Sequence, residues 1–142
     1  MPDYMVDSNV LLDVMTEDPV WFVWSSRALR ECAQNGNLII NPIVCAEVCV
    51  RFERIEELDA VLAQAHLECR PIPLAAAFLA GKTFVAYKKQ GGTRGTTLPD
   101  SFIGAHASVE GLTLITRDVR RYRTYFPRLS LIAPAAEAPG ET

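Results

Sequence analysis

The chain has 142 residues, with 17 Asp and Glu against 14 Lys and Arg, for a formal net charge of −3. Its length suits one domain, and 49% hydrophobic with 22% charged residues is the balance of a globular fold. Disordered, collagen-like and disulfide-scaffold classes are excluded, and no run approaches the ~18 apolar residues that span a bilayer. The charge is uneven: residues 1–71 hold 12 acids and 5 bases (−7), residues 72–142 hold 5 acids and 9 bases (+4), and the halves sum to −3. Such asymmetry suggests a charged partner, so the negative total does not exclude nucleic acid.

Tyr4-Met5-Val6 predicts a first strand and Asn9 to Met15 a helix, its apolar residues at Val10, Leu11, Val14 and Met15. Asp18-Pro19 predicts the start of a helix reaching Gln34, stopped by Asn35-Gly36-Asn37. Leu38 to Ile40 is a second strand; Asn41-Pro42 repeats the cap-and-proline signal and opens a helix to Phe52. Helix over 55–65, a short strand over 67–70 and a long helix over 74–89 follow, then the loop 91–97. Helix over 99–109, strand over 112–116, helix over 119–125 and strand over 129–132 complete a domain of residues 1–133; residues 134–142 are expected to be a flexible tail. Short apolar strands alternating with helices predict an α/β fold, with a parallel sheet covered on both faces.

The opening Met1-Pro2-Asp3-Tyr4 lacks the basic start and apolar core of a signal peptide, which predicts a cytoplasmic protein with no membrane partner. Cys32, Cys45, Cys49 and Cys69 form no CxxC pattern and His66 and His106 stand apart, so the cysteines are expected to be free and buried as small hydrophobes.

In a parallel sheet, ligands sit beyond the carboxyl ends of the strands. Asp7 follows the first strand, Asp118 lies just past the strand 112–116, Asp100 opens a helix, and Glu47 is embedded in Ile43-Val44-Cys45-Ala46-Glu47-Val48-Cys49-Val50. Each also has a structural explanation. Asp7, Asp100 and Asp118 stand at helix starts, where capping contributes about 1 kcal/mol, and Glu47 can pair with Arg51 at i+4. Brought together, however, three or four carboxylates could not all stay ionised without a cation. An oxygen-only set suits Mg²⁺ or Mn²⁺ better than Zn²⁺.

Met5-Val6-Asp7-Ser8-Asn9-Val10-Leu11-Leu12-Asp13 resembles the opening motif of PIN-domain ribonucleases. Ile43 to Val48, Leu98-Pro99-Asp100-Ser101-Phe102-Ile103-Gly104-Ala105-His106-Ala107 and Leu114-Ile115-Thr116-Arg117-Asp118-Val119-Arg120-Arg121-Tyr122 are similar to that family's other three acidic segments. Order and spacing resemble the VapC-type toxins of bacterial toxin–antitoxin pairs, from Tyr4 to Pro134.

The resemblance implies a three-layer PIN-like domain with four to five parallel strands, and a Mg²⁺-dependent endoribonuclease in which Mn²⁺ can substitute. It implies catalytic acids at Asp7, Glu47, Asp100 and Asp118, with Asp7 and Asp100 on the metal and Glu47 and Asp118 acting through water. Ser8, Asn9 and Thr116 would steady the metal's water or the substrate phosphate. Hydrolysis by a metal-activated water would leave a 5′-phosphate and a 3′-hydroxyl. The resemblance also implies an antitoxin partner and a homodimer. Ser101 departs from the apolar or aromatic residue common at its position.

Arg117 and Arg120 flank the site and are expected RNA contacts, with Arg94 of the 91–97 loop a further phosphate contact. The wider cluster, Arg117 to Arg128 with Tyr122, Tyr125 and Phe126, reads equally well as an RNA surface or as core aromatics beneath a solvated face. Asp13 reads as a solvated helix position, and Trp21, Phe22 and Trp24 as core or as a partner surface. The rival reading is a catalytically silent PIN-like module that binds RNA or protein. A dehalogenase-like phosphatase fails because Asn9 stands where its second aspartate belongs.

Overall fold

The computed structural model describes residues 2–89, 91 and 98–135. Its elements are β1 (Asp3–Val6), α1 (Ser8–Met15), α2 (Phe22–Asn35), β2 (Asn37–Ile40), α3 (Pro42–Val48), α4 (Ile55–Gln64), β3 (Leu67–Cys69), α5 (Leu74–Lys89), α6 (Leu98–Glu110), β4 (Thr113–Ile115), α7 (Val119–Arg123) and β5 (Leu131–Ile132). The strands form one sheet in the order β3-β2-β1-β4-β5, every neighbouring pair parallel, with helices flanking it. This is the α/β architecture expected. Met5, Val6, Ile39, Ile40, Leu114 and Ile115 are all 0% exposed, so the three central strands read as continuous apolar runs because both their faces are covered.

The order places β1 at the centre: the chain leaves it toward β2 and β3 on one side, then returns to its other side at β4. The carboxyl ends of β1 and β4 therefore flank the point where the winding reverses, the usual place for a crevice. Asp7 and Thr116 are the first residues beyond those two strands.

Several boundaries shift for local reasons. Asp18 does not cap a helix; its Oδ1 accepts from the amides of Val20 and Trp21, both at 2.9 Å, closing a turn that delays α2 to Phe22. Asn41 does cap α3, accepting from the amides of Ile43 and Val44 at 3.0 Å. The helix expected to reach Phe52 is instead α3 followed by a 3-10 turn over Cys49–Arg51. The last strand shortens to Leu131–Ile132 and α7 ends at Arg123. Residues 92–97, with Arg94, and 136–142 of the expected tail lie outside the described residues.

The cysteines depart from expectation. All are free, but only Cys32 is buried; Cys45 is half-buried, and Cys49 and Cys69 are exposed, because the turn after α3 and the edge strand β3 face solvent.

On α6 and at its end, geometry requires glycine. Gly111 ends α6 at φ +66, the left-handed conformation of a helix C-terminus. Gly104 lies on α6 against Phe126, whose ring would stand 2.5 Å from a Cβ there. This close approach lets α6 pack beside the α7 segment, so Asp100 and the α7 side chains share one edge. Among the described residues, no helix is long and apolar enough to cross a membrane.

Candidate active site at the carboxyl edge of the sheet

Asp7 joins β1 to α1. Its amide donates to the Ile115 carbonyl at 3.0 Å, and its extended backbone lets Oδ1 accept from the Ser8 amide at 2.8 Å as the N-cap of α1. Oδ2 accepts from Thr116 Oγ1 at 2.8 Å and from the Tyr122 hydroxyl at 2.9 Å. Asp7 is 1% exposed, and each of these donors is neutral. Burial, with the nearby charge of Asp100 adding to it, pushes its pKa up to about 6, although the Thr116, Tyr122 and Ser8 hydrogen bonds pull the other way. Tyr122 is itself fully buried; burial and the charges of Asp7 and Asp100 raise its pKa well above normal, which keeps it a donor.

Asp100 is buried in the first turn of α6, where the helix dipole favours a carboxylate. Asp118, half-exposed, caps α7 by accepting from the Arg121 amide at 3.4 Å. Arg121 stands between these two acids, Nη1 at 3.4 Å from Asp100 Oδ1 and Nε at 3.1 Å from Asp118 Oδ2. Burial opposes its charge, but Asp100, Asp118, Tyr122 and Asp7 together raise its pKa. Thr116 links the acids from the other side, donating to Asp7 and accepting from the Asp118 amide at 3.0 Å.

Glu47, on α3, is half-buried and accepts from Ser8 Oγ at 2.8 Å; this hydroxyl is its partner, not Arg51. Asn9 Oδ1 is buried without a hydrogen-bond partner. The four acids thus connect through Ser8, Thr116 and Arg121 and do not converge on one point. Among the described residues, no three Asp, Glu, His or Cys side chains gather as a metal-holding group.

The donors nevertheless fit a hard divalent ion. Mg²⁺ is commonly held by only one or two carboxylates and keeps several waters. Asp7 and Asp100 supply two buried carboxylates close enough for one charge to raise the pKa of the other, and the site's remaining donors are hydroxyls, an amide oxygen and half-buried acids.

Arg117 is placed differently from expectation. Its Nε reaches Asp13 Oδ2 at 2.8 Å and its Nη2 reaches Asp13 Oδ1 at 3.1 Å, while its guanidinium lies 5.1 Å above the Trp21 ring. Asp13, expected to be solvated, is 2% exposed and also accepts from Ser25 Oγ at 2.8 Å. Arg117 thus has an internal carboxylate to neutralise, and Trp21 belongs to that pair's packing. Arg120 is exposed.

The participants that sequence reasoning missed are Tyr122, Arg121 and Asp13. A signal existed for two of them: Arg121 and Tyr122 stand three and four residues after Asp118, the spacings that meet on a helix face.

A PIN domain family model matches residues 4–127. No curated protein sequence is matched. Among solved structures, a chain of VapBC2 from Rickettsia felis, bound to a DNA fragment from its promoter, is similar with a TM-score of 0.71 and 23% identity, covering 93% of this chain and 98% of that one. VapBC-1 from nontypeable Haemophilus influenzae gives 0.69 and 21%, covering 92% and 97%. DNA-bound VapBC from Salmonella typhimurium gives 0.68 and 18%, covering 94% and 98%.

Proposed function

This chain belongs to the PIN domain family, and we propose that it is a metal-dependent endoribonuclease acting as the toxin of a toxin–antitoxin pair. The observation that carries the reading is Asp7: a carboxylate 1% exposed, held only by neutral donors and facing a second buried acid. A site that raises a carboxylate's pKa to about 6 by burial and like charge favours a cation there.

Asp7 and Asp100 would hold Mg²⁺ or Mn²⁺, with Glu47 and Asp118 acting through water. When bound, the ion supplies a lowered water pKa and charge stabilisation at the phosphate. The chain's own residues do the positioning. Thr116 and Tyr122 fix the Asp7 carboxylate through two hydroxyls on Oδ2. Ser8 turns Glu47 toward the same edge. Asn9 offers an unpartnered oxygen to a water or a phosphate-bound group. Arg120, exposed at the start of α7, is free to meet an RNA phosphate.

The test is cleavage of single-stranded RNA with Mg²⁺, with Mn²⁺ and with EDTA, followed by end analysis. The reading expects cleavage lost in EDTA, 5′-phosphate and 3′-hydroxyl ends, and loss in Asp7→Asn protein that still folds. A 2′,3′-cyclic phosphate would refute it, since that product uses the ribose hydroxyl as nucleophile.

One observation favours the silent module: Arg121 already supplies a positive charge between Asp100 and Asp118. RNA binding without cleavage under either metal would establish that reading instead.

For the antitoxin, the complexes named VapBC among the structural neighbours support a protein partner. An apolar cavity of about 240 Å³, lined by Leu11, Met15, Leu29, Phe52, Leu58 and Leu62 among others, is the seat we assign to an apolar antitoxin segment. Its lining includes none of the four acids. Leu29→Glu is expected to abolish co-purification with a co-expressed antitoxin while leaving RNA cleavage intact.

A further inference from the structure

At the opposite side of the sheet from β4 and β5, Cys45 on α3 and Cys69 on β3 bring their Sγ atoms to 3.6 Å across 24 residues of chain. β3 is an edge strand and Cys69 is exposed. Cys45 is half-buried and lines an open cavity of about 450 Å³ with Cys49, Phe52 and Leu58, so small solutes reach it. Neither thiol has a part in the acidic site, although Cys45 stands two residues before Glu47 on the same helix.

We propose that Cys45 and Cys69 form a dithiol site that a hydroperoxide oxidises to a reversible intramolecular disulfide, fastening α3 to the sheet edge. The sulfurs need to close from 3.6 Å to about 2.05 Å, a movement of about 1.5 Å at the ends of two side chains. The other thiols are poorly placed. Cys32 is buried on α2. Cys49 donates to the Ala46 carbonyl at 3.0 Å, and its i+4 relation to Cys45 keeps their Cβ atoms about 6 Å apart.

The environment sets the order of events. Cys69 is exposed and Cys45 half-buried, so a peroxide meets Cys69 first and Cys45 waits beside it at 3.6 Å. The exposed Cys69 sulfur attacks the terminal peroxide oxygen and releases its thiol proton. The O–O bond breaks, the leaving oxygen takes a proton and departs as water or alcohol, and Cys69 becomes a sulfenic acid. Cys45 then attacks that sulfur; the S–O bond breaks, and the hydroxide leaves as water with the proton from Cys45. The two thiols lose two electrons in all, and the peroxide gains them.

Intact-mass spectrometry of the full chain treated with one equivalent of hydrogen peroxide tests this directly. The expected result is a loss of about 2 Da, reversed by dithiothreitol, in the monomer. After trypsin, peptide 31–51, which carries Cys32, Cys45 and Cys49, should be joined to peptide 55–82, which carries Cys69 because Pro71 blocks cleavage after Arg70. Cys49→Ser and Cys32→Ser should form the same bridge, whereas Cys45→Ser should gain one oxygen at Cys69 and Cys69→Ser should form no intramolecular bridge. A wild-type chain that gains only oxygen, bridges only between molecules, or keeps its bridge when Cys45 or Cys69 is replaced would overturn the proposal. The wild-type result needs no variant to fold.

Discussion

Two aspartates of the first helical segment, six residues apart, are buried to nearly the same degree and solve that problem in opposite ways. Asp13, 2% exposed, takes a two-pronged ion pair from Arg117 and a hydroxyl from Ser25, so its charge is answered within the chain. Asp7, 1% exposed, has three donors, all neutral, an acid nearby and Arg121 acting only at a distance, so its charge is hydrogen-bonded but not ion-paired. Burial alone therefore does not mark a functional carboxylate. What distinguishes Asp7 is satisfied hydrogen-bond geometry together with an unmet demand for positive charge.

The largest expected effect separates the two by activity. Asp7→Asn should reduce metal-dependent RNA cleavage roughly 100-fold or more, as loss of a group that stabilises developing charge does. Circular dichroism should show the same fold. Arg117→Met should act oppositely, leaving cleavage per folded molecule within a few-fold while destabilising the chain. Breaking a buried pair costs about 3–5 kcal/mol, and Arg117 is 31% exposed, so roughly 2–3 kcal/mol is expected in urea unfolding. A stability unchanged in Arg117→Met would remove the distinction drawn between the two acids.

A smaller effect sharpens the comparison through pH. The folded-state pKa of Asp7, about 6, exceeds its ordinary 3.8, so the folded chain binds this proton more tightly than the unfolded one. The resulting stability is fully present below pH 3.8 and is lost as pH rises through about 6. In EDTA, Asp7→Asn should therefore be more stable than wild type by roughly 1–3 kcal/mol at pH 7, with the gap narrowing toward pH 4. A saturating divalent ion that binds the folded state should erase much of the gap by stabilising only the wild type. A gap that does not change with pH would show that Asp7 is ionised at no cost.

Much of this was legible from residue pattern, and the failures share a cause. The parallel sheet followed from apolar strands such as Leu38 to Ile40 alternating with helices, and Asn41-Pro42 announced α3, because these signals are local. Asp18-Pro19 carried the same local signal and failed, because the Asp18 carboxylate found two nearer amides and closed a turn. Asp7 and Asp100 were placed by their position after β1 and at the start of α6. Asp13 and Arg117, 104 residues apart, could not be paired before β4 was known to lie beside β1. Cys69 was expected inside, but pattern does not reveal that its strand ends the sheet.

Arg121 tests the comparison at its finest point, since its guanidinium meets Asp100 and it resembles Arg117 only in part. Arg117 grips Asp13 with two nitrogens at 2.8 and 3.1 Å. Arg121 divides its guanidinium between Asp100 at 3.4 Å and Asp118 at 3.1 Å. A longer, divided contact is weaker, and a divalent charge at Asp100 would repel the guanidinium toward the more exposed Asp118. Arg121 and a divalent ion bound there would thus compete for the same negative field. Arg121→Met should then tighten Mn²⁺ binding about 3- to 10-fold, read by electron paramagnetic resonance of free Mn²⁺, while lowering stability in EDTA by roughly 1 kcal/mol. Weaker Mn²⁺ binding in the variant would show the reverse: a guanidinium that holds Asp100 and Asp118 in place for the ion, as Thr116 and Tyr122 hold Asp7.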